Sequence, residues 1–392
     1  MIAIYVLIDA LGWQYLKDKK FLDDILPHRL PMRTVLGFSS GAIPTILTGV
    51  PPAVTGHWNL FYFDPKGSPF RWLKYFSFLP DAVLDNRYSR KIIKELGRRV
   101  LGMGSLFECS VSPRYLPWFN YVEKKNIYDH GGISGAKSIF DDLQAAGIAH
   151  KIYSYHHLTD AEIINHALED LANNKTSFFF LYLSEMDMFL HMNCKDPVKV
   201  EERLQWYDRQ LRRVYLEAKK HDPNASMTVI SDHGMTPIEN HFDLVKQVND
   251  LGLEQLSDYL VVYDSTMARF WFFNKNARER IQERLASLSC GKILSDDELK
   301  SLGIYFSDRR FGELVFLLNP GWLTSESDFN GSGKGWMPKG MHGYHPEDPY
   351  SDAIFLSSSA PPFAVRALAD VYPCMRKAAG LPLAEPAMGR TS

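Results

Sequence analysis

The chain has 392 residues, enough for one large elaborated domain or for two to three units at about 150 residues each. Lys and Arg number 44 against 46 Asp and Glu, a formal charge of −2, with 45% hydrophobic and 23% charged residues. That balance excludes wholesale disorder. With no long run of one sign, it also argues against a stable nucleic-acid partner, which would need a basic footprint.

The first nine residues, Met1-Ile2-Ala3-Ile4-Tyr5-Val6-Leu7-Ile8-Asp9, have no basic segment before the apolar run. A carboxylate ends the run too early for a membrane span or a signal peptide. The run reads as a buried strand. Further short apolar runs bounded by turn residues follow at Lys151–Tyr155, Ser177–Leu183, Met227–Ile230 and Ala353–Leu356, the pattern of strands covered on both faces. Helical periodicity lies between and after them, at Ser134–Ala146, Asp160–Asn173, Pro197–Lys220 and Asp370–Ala379. In the first of these, Ala136, Ile139, Phe140, Leu143 and Ala146 recur at three- and four-residue spacing, so that one face can be buried. Alternation of strand and helix predicts an α/β fold with a mostly parallel central sheet flanked by helices.

Two segments fall outside that alternation. Residues 60–125 are crowded with aromatics and Pro, among them Phe61, Phe63, Trp72, Tyr75, Phe78, Trp118 and Tyr121. Residues 252–340 read as a small α+β cap, with strands at Tyr259–Tyr263, Ala268–Phe273 and Glu313–Leu318 around a helix at Ala277–Leu288. The expected organisation is therefore a core of residues 1–59, 126–251 and 341–392 with two insertions. The last ten residues, Leu383–Ser392, read as loose. Cys109, Cys194, Cys290 and Cys374 are 85, 96 and 84 residues apart, which fits neither a metal-binding pair nor a small disulfide framework. Four buried thiols and a cytoplasmic location are the expectation.

Polar residues cluster where the strands end, which is where open α/β sheets place their ligands. Asp9 ends the first strand. Asp232 and His233 follow Met227–Ile230 in Ser231-Asp232-His233-Gly234-Met235. Asp187 and His191 follow Ser177–Leu183 at a spacing that puts both on one face of a helix. His342, in Met341-His342-Gly343-Tyr344, precedes the strand at Ala353. Singly these are helix caps, turn residues or surface decoration. Together, three Asp and three His form a set whose buried charge calls for a metal, with carboxylate and imidazole suiting zinc or manganese. Gly37-Phe38-Ser39-Ser40-Gly41 matches the Gly-x-Ser-x-Gly pattern centred on Ser39, a pattern short enough to arise by chance. A serine at a helix N-terminus would face a bound anion with free backbone N–H groups.

In this order the blocks resemble the alkaline phosphatase superfamily, and within it the type I phosphodiesterase/nucleotide pyrophosphatase branch. They are Asp9, Ser39 with Thr48-Gly49, Asp187-x-x-x-His191, Ser231-Asp232-His233-Gly234-Met235 and Met341-His342-Gly343-Tyr344. The resemblance implies two divalent cations, usually zinc, with manganese as the alternative. Asp9, Ser39, Asp232 and His233 would hold one and Asp187, His191 and His342 the other. It implies in-line attack by Ser39, a phospho-seryl intermediate, and a small-molecule phosphodiester, nucleotide, sugar or lipid phosphate as substrate. The chain departs from the branch around the nucleophile, where Ser40-Gly41 replaces the usual aromatic and Pro, so Ser40 stays as the alternative. Asn59, one position early in His57-Trp58-Asn59, is the candidate for the phosphoryl oxygen, with a turn role equally open. Lys334 and Lys339 precede His342 and are candidate substrate contacts. A phosphomonoesterase, a mutase or a transferase of the same superfamily is the alternative reading, and a metal-free serine esterase the competitor from another chemistry.

Overall fold

The computed structural model describes residues 1–103, 107, 109–154, 158–173, 176–325, 327 and 337–383. Among the described residues, six strands form the central sheet in the order His28–Met32, Ala353–Ser357, Ser226–Ile230, Ala3–Ile8, Phe178–Leu183, His150–Tyr153. Ala3–Ile8 sits in the middle, parallel to Ser226–Ile230 on one side and to Phe178–Leu183 on the other. Ala353–Ser357 runs antiparallel to both of its neighbours. All six residues of Ala3–Ile8 and of Phe178–Leu183 are buried. Alternation along the strands divides the core into two layers. Ile4, Val6, Ile8, Leu181 and Leu183 pack beneath helices Asp160–Ala172 and Pro197–His221. Tyr5, Leu7, Phe180 and Tyr182 pack against helices Ser39–Thr48, Ile139–Ala145 and Val371–Ala378. This is the mostly parallel α/β architecture that the sequence pattern predicts.

Differences from the sequence reading have local causes. The helix read from Ser134 begins at Ile139, because the Ser138 hydroxyl and the Asp141 carboxylate close a capping box there. The edge strand His28–Met32 went unread. It carries Pro31 and is only half-buried, both marks of an edge position that needs no full ladder. Within the aromatic segment, Arg87–Arg99 forms a helix capped by Asn86. No helix among the described residues is long and apolar enough to cross a membrane. The four cysteines are buried thiols, none of them in a disulfide among the described residues.

The cap has its own antiparallel sheet, in the order Tyr259–Asp264, Met267–Phe272, Leu314–Leu318, Gly291–Ile293. The aromatic segment does not stand apart from it. Phe61, Phe107, Phe119 and Tyr121 share one apolar cluster with Leu260, Val262 and Trp271 of the cap, with the Phe63 ring stacked on Trp271 at 5.7 Å. Most aromatics of residues 60–125 are therefore consumed in packing, and the joint body roofs the carboxyl end of the central sheet.

Candidate active site

Asp9 leaves the end of the central strand, where its backbone N–H donates to the Leu183 carbonyl at 3.0 Å. Ala10 then turns the chain with a φ of +60°, a conformation rarely adopted by a residue with a Cβ. From the neighbouring strand, the Tyr182 hydroxyl donates to Asp9 Oδ2. Asp232 Oδ1 accepts the backbone N–H groups of Ala10 at 3.2 Å and His233 at 3.0 Å, which turns Oδ2 toward the site. Gly234 is required at this bend, since an added Cβ would lie 2.1 Å from the Tyr350 carbonyl oxygen.

Ser39 is the first residue of helix Ser39–Thr48. The turn before it depends on Gly37, at a φ of +124° with the Trp58 indole where a side chain would go. Ser39 Oγ lies 3.1 Å from His233 Nε2, whereas Ser40 Oγ donates to the Trp58 carbonyl at 2.8 Å. Only the first serine turns its hydroxyl toward the acidic and imidazole groups. On the other side, helix Glu185–Asn193 carries Asp187 and His191 one turn apart, as their spacing predicts. His191 Nε2 and His342 Nε2 lie 3.3 and 3.5 Å from Asp187 Oδ1. The His233 and His342 rings stack at 3.8 Å, so the two groups adjoin.

Within Asp9, Asp232 and His233, one ligand atom from each residue lies within 4.8 Å of the others, and the same holds for Asp187, His191 and His342. The histidine tautomers suit metal binding. His233 Nδ1 bonds the Gly234 carbonyl at 3.0 Å and His191 Nδ1 the Gly340 carbonyl at 2.8 Å, which leaves each Nε2 with a lone pair for a cation. Asp9 Oδ1, Asp232 Oδ2 and His342 Nδ1 are buried without a hydrogen-bond partner, a costly arrangement that a cation would relieve. Burial, then the Asp232 and Asp187 carboxylates, push Asp9 well above the usual carboxylate range. Burial also raises Asp187, but the charge of His191 and its bond outweigh that and hold the group well below the usual range. Burial and the neighbouring His233 push His342 well below the ordinary histidine value.

The same distances exclude a metal-free triad. A serine triad needs the acid on one imidazole nitrogen and the serine on the other. Here Ser39 Oγ, Asp232 Oδ2 and Asp9 Oδ1 converge on His233 Nε2 alone, at 3.1, 3.3 and 3.7 Å. Convergence of several donors on one point is the geometry of a shared cation.

A cavity of about 390 Å³ opens from Ser39, Asp9, Asp187 and His342 toward Phe61, Val111, Tyr121 and Val262 of the roof. Asn59 lines it, buried and with Nδ2 unpartnered, where it is available to an oxygen of a bound group. Lys339 does not line it. Its side chain is exposed, and its backbone N–H donates to the His191 carbonyl at 2.7 Å. Lys334 lies outside the described residues. The sequence reading missed two residues here. Tyr182 was hidden in an apolar run. Glu123, in the cavity wall, is 9% exposed, and burial raises its carboxyl to about 7. Arg269 also reaches the wall but is spent on the Asp264 carboxylate and on the Phe61 carbonyl at 3.1 Å.

The sequence matches the family described as type I phosphodiesterase/nucleotide pyrophosphatase over residues 3–345. Among solved structures, human ectonucleotide pyrophosphatase/phosphodiesterase 5 is similar at 15% identity with a TM-score of 0.69, and the murine protein at 16% and 0.68. An inactive form of the murine protein in complex with AMP is similar at 17% and 0.68. Each alignment covers 98% of this chain and 96% of the other. No curated protein sequence is a significant match.

Proposed function

Since this chain belongs to the type I phosphodiesterase/nucleotide pyrophosphatase family and is a phosphoric ester hydrolase, we propose that it cleaves phosphodiesters through a phospho-seryl intermediate at a two-cation site. The observation that carries the reading is the pair of three-residue groups that adjoin through the stacked His233 and His342 rings, with Ser39 Oγ 3.1 Å from His233 Nε2. Asp9, Asp232, His233 and Ser39 would hold one divalent ion, and Asp187, His191 and His342 the other. Zinc, with manganese as the alternative, suits this donor set. Two such ions would supply positive charge to the phosphoryl oxygens and favour ionisation of a nearby hydroxyl.

The chain's own groups account for the rest. Ser39 Oγ attacks phosphorus, the P–O bond to the leaving alkoxide breaks, and the serine proton ends on the released alcohol. Water then cleaves the phospho-serine and restores the hydroxyl. The N-terminus of helix Ser39–Thr48 offers unpaired backbone N–H groups to the anion, and Asn59 Nδ2 donates to a phosphoryl oxygen. Tyr182 fixes Asp9 by its hydrogen bond. The diester is favoured over the monoester because Arg269, the one guanidinium among the described cavity-lining residues, is spent on Asp264. A dianionic monoester would need a free cation there. The apolar wall of Phe61, Val111 and Val262 takes the organic half of the substrate.

The test compares bis-p-nitrophenyl phosphate, p-nitrophenyl phosphate and p-nitrophenyl acetate on zinc- or manganese-loaded protein, with and without chelator. Chelator-sensitive preference for the diester is expected. Preference for the monoester would move the assignment to a phosphatase or mutase, and chelator-resistant cleavage of the acetate alone would overturn it.

A further inference from the structure

The roof presents a surface that packing does not explain. In helix Arg87–Arg99, Ile93 and Gly97 face inward, and Gly97 is so close to the Phe107 ring that an added Cβ would lie 2.7 Å from it. That contact fixes the rotation of the helix. It leaves Tyr88, Ile92 and Leu96, at four-residue spacing, as an apolar stripe turned outward and exposed. The preceding stretch adds Tyr75 at 81% and Phe78 at 79% exposure, and Val83 and Val100 are exposed as well. Ser89 Oγ and Asn86 Nδ2 bond the Val83 carbonyl at 2.6 and 2.9 Å, and Leu73 and Ile93 enter the same apolar cluster, so the stretch and the helix are anchored on one body. Exposed apolar groups gathered this densely mark an interaction site rather than ordinary surface scatter.

Charge identifies the partner. Residues 71–100 carry eight Lys and Arg against three Asp and Glu, a net +5 in a chain whose total is −2. The three acids are already answered: Asp85 by Arg90, Asp81 by Arg114 and Glu95 by Arg99. What faces outward is therefore an apolar stripe flanked by excess positive charge, with Arg87 and Lys91 exposed on the helix itself. Aromatic and aliphatic groups beside Lys and Arg are what an amphipathic helix presents to the headgroup region of an anionic bilayer. A second copy of this chain would bring +5 against +5.

We propose that the surface formed by residues 71–100 docks the protein reversibly on anionic phospholipid membrane, with Tyr75, Phe78 and Ile92 entering the interface and Arg87 and Lys91 meeting the headgroups. Behind this surface, the same apolar cluster continues to Phe61, Val111 and Tyr121 in the cavity wall, so docking places the cavity mouth's supporting body against the bilayer. The inference stands on the surface alone and does not depend on the reaction catalysed at Ser39.

The test is cosedimentation of the whole protein with phosphatidylcholine vesicles, with and without phosphatidylglycerol, at low and high salt. Wild type is expected to bind the phosphatidylglycerol vesicles roughly tenfold or more better than phosphatidylcholine alone, and to weaken as salt rises. The variant Tyr75→Ser/Phe78→Ser/Ile92→Ser is expected to lose about tenfold of that binding. Arg87→Glu/Lys91→Glu should lose the preference for anionic lipid. All substituted side chains are exposed, so circular dichroism and turnover of bis-p-nitrophenyl phosphate should match wild type. Absence of a phosphatidylglycerol preference in wild type, or equal binding by the variants, would overturn the proposal. So would a concentration-dependent dimer, seen by light scattering without vesicle binding and lost in the serine variant. That result would assign the face to a second copy.

Discussion

Glu123 gives the sharpest quantitative test of how this cavity is built. Its carboxyl lies in the cavity wall, 9% exposed, and no described hydrogen bond or ion pair supports it, so burial raises it from 4.5 to about 7. Below pH 4.5 the folded and unfolded chains both hold the proton and the residue has no pH-dependent effect. Between pH 4.5 and about 7 the unfolded chain releases the proton while the folded chain retains it, so stability falls as pH rises, by about 1.4 kcal/mol per unit. Above pH 7 both states are ionised and the full cost, about 3 kcal/mol, remains. Glu123→Gln keeps the shape and removes the charge. Relative to wild type it should gain nothing at the acid end and about 3 kcal/mol by pH 8. With an unfolding entropy of about 2 cal/mol/K per residue, near 0.8 kcal/mol/K for the chain, that is about 4 °C in Tm.

The assay is thermal unfolding of both proteins from pH 5 to pH 8.5 in buffers of matched ionic strength, read as the difference in Tm. Taking the difference matters, because Asp9 is also raised by its burial and contributes equally to both proteins. The gap should open with rising pH and level off above pH 7. A gap that is constant across the range, or that closes as pH rises, would refute the account of Glu123 as a buried, unsupported carboxyl. A substrate group that brings a proton donor to Glu123 should narrow the gap, since it would supply the missing partner.

Three further outcomes follow from the site geometry. Asp232→Asn should lower metal content, measured by elemental analysis, and should cost more activity than the roughly 10–100-fold expected for losing an outer hydrogen bond. Full activity with bound metal would remove Asp232 from the site. Ser39→Ala should abolish diester turnover while retaining metal, and Ser40→Ala should keep turnover; the reverse would move the nucleophile by one residue. Tyr182→Phe should fold normally by circular dichroism but lose roughly 10–100-fold in metal affinity, and unchanged affinity in a chelator competition would show that its bond to Asp9 does not orient the ligand.

How much of this was legible in the sequence depends on whether function and local pattern coincide. Asp9, Asp232 and His233 stand where apolar runs stop, and Asp187 and His191 stand one helical turn apart, so strand ends and helix spacing mark them. Tyr182 obeys the opposite logic. It sits inside Phe178–Leu183 as one more apolar residue, and only the parallel register that pairs Tyr182 with Leu7 and Leu183 with Ile8 brings its hydroxyl to Asp9. The strand His28–Met32 escaped notice for a related reason, since an edge strand with a proline lacks the continuous apolar run that marked its neighbours.

Glu123 is the extreme case. In Tyr121-Val122-Glu123-Lys124-Lys125 it reads as the start of a charged, solvated turn. Its burial arises because Phe119–Tyr121 pairs with Phe61–Phe63 and the resulting two-stranded antiparallel pair packs on a cap strand more than a hundred residues later in the chain. Local pattern therefore located the groups that could hold cations, whose positions the central sheet dictates. The groups that shape the cavity come from two stretches distant in the chain, residues 60–125 and 252–340, that meet only after folding, so that this wall is a property of their shared core and not of either one.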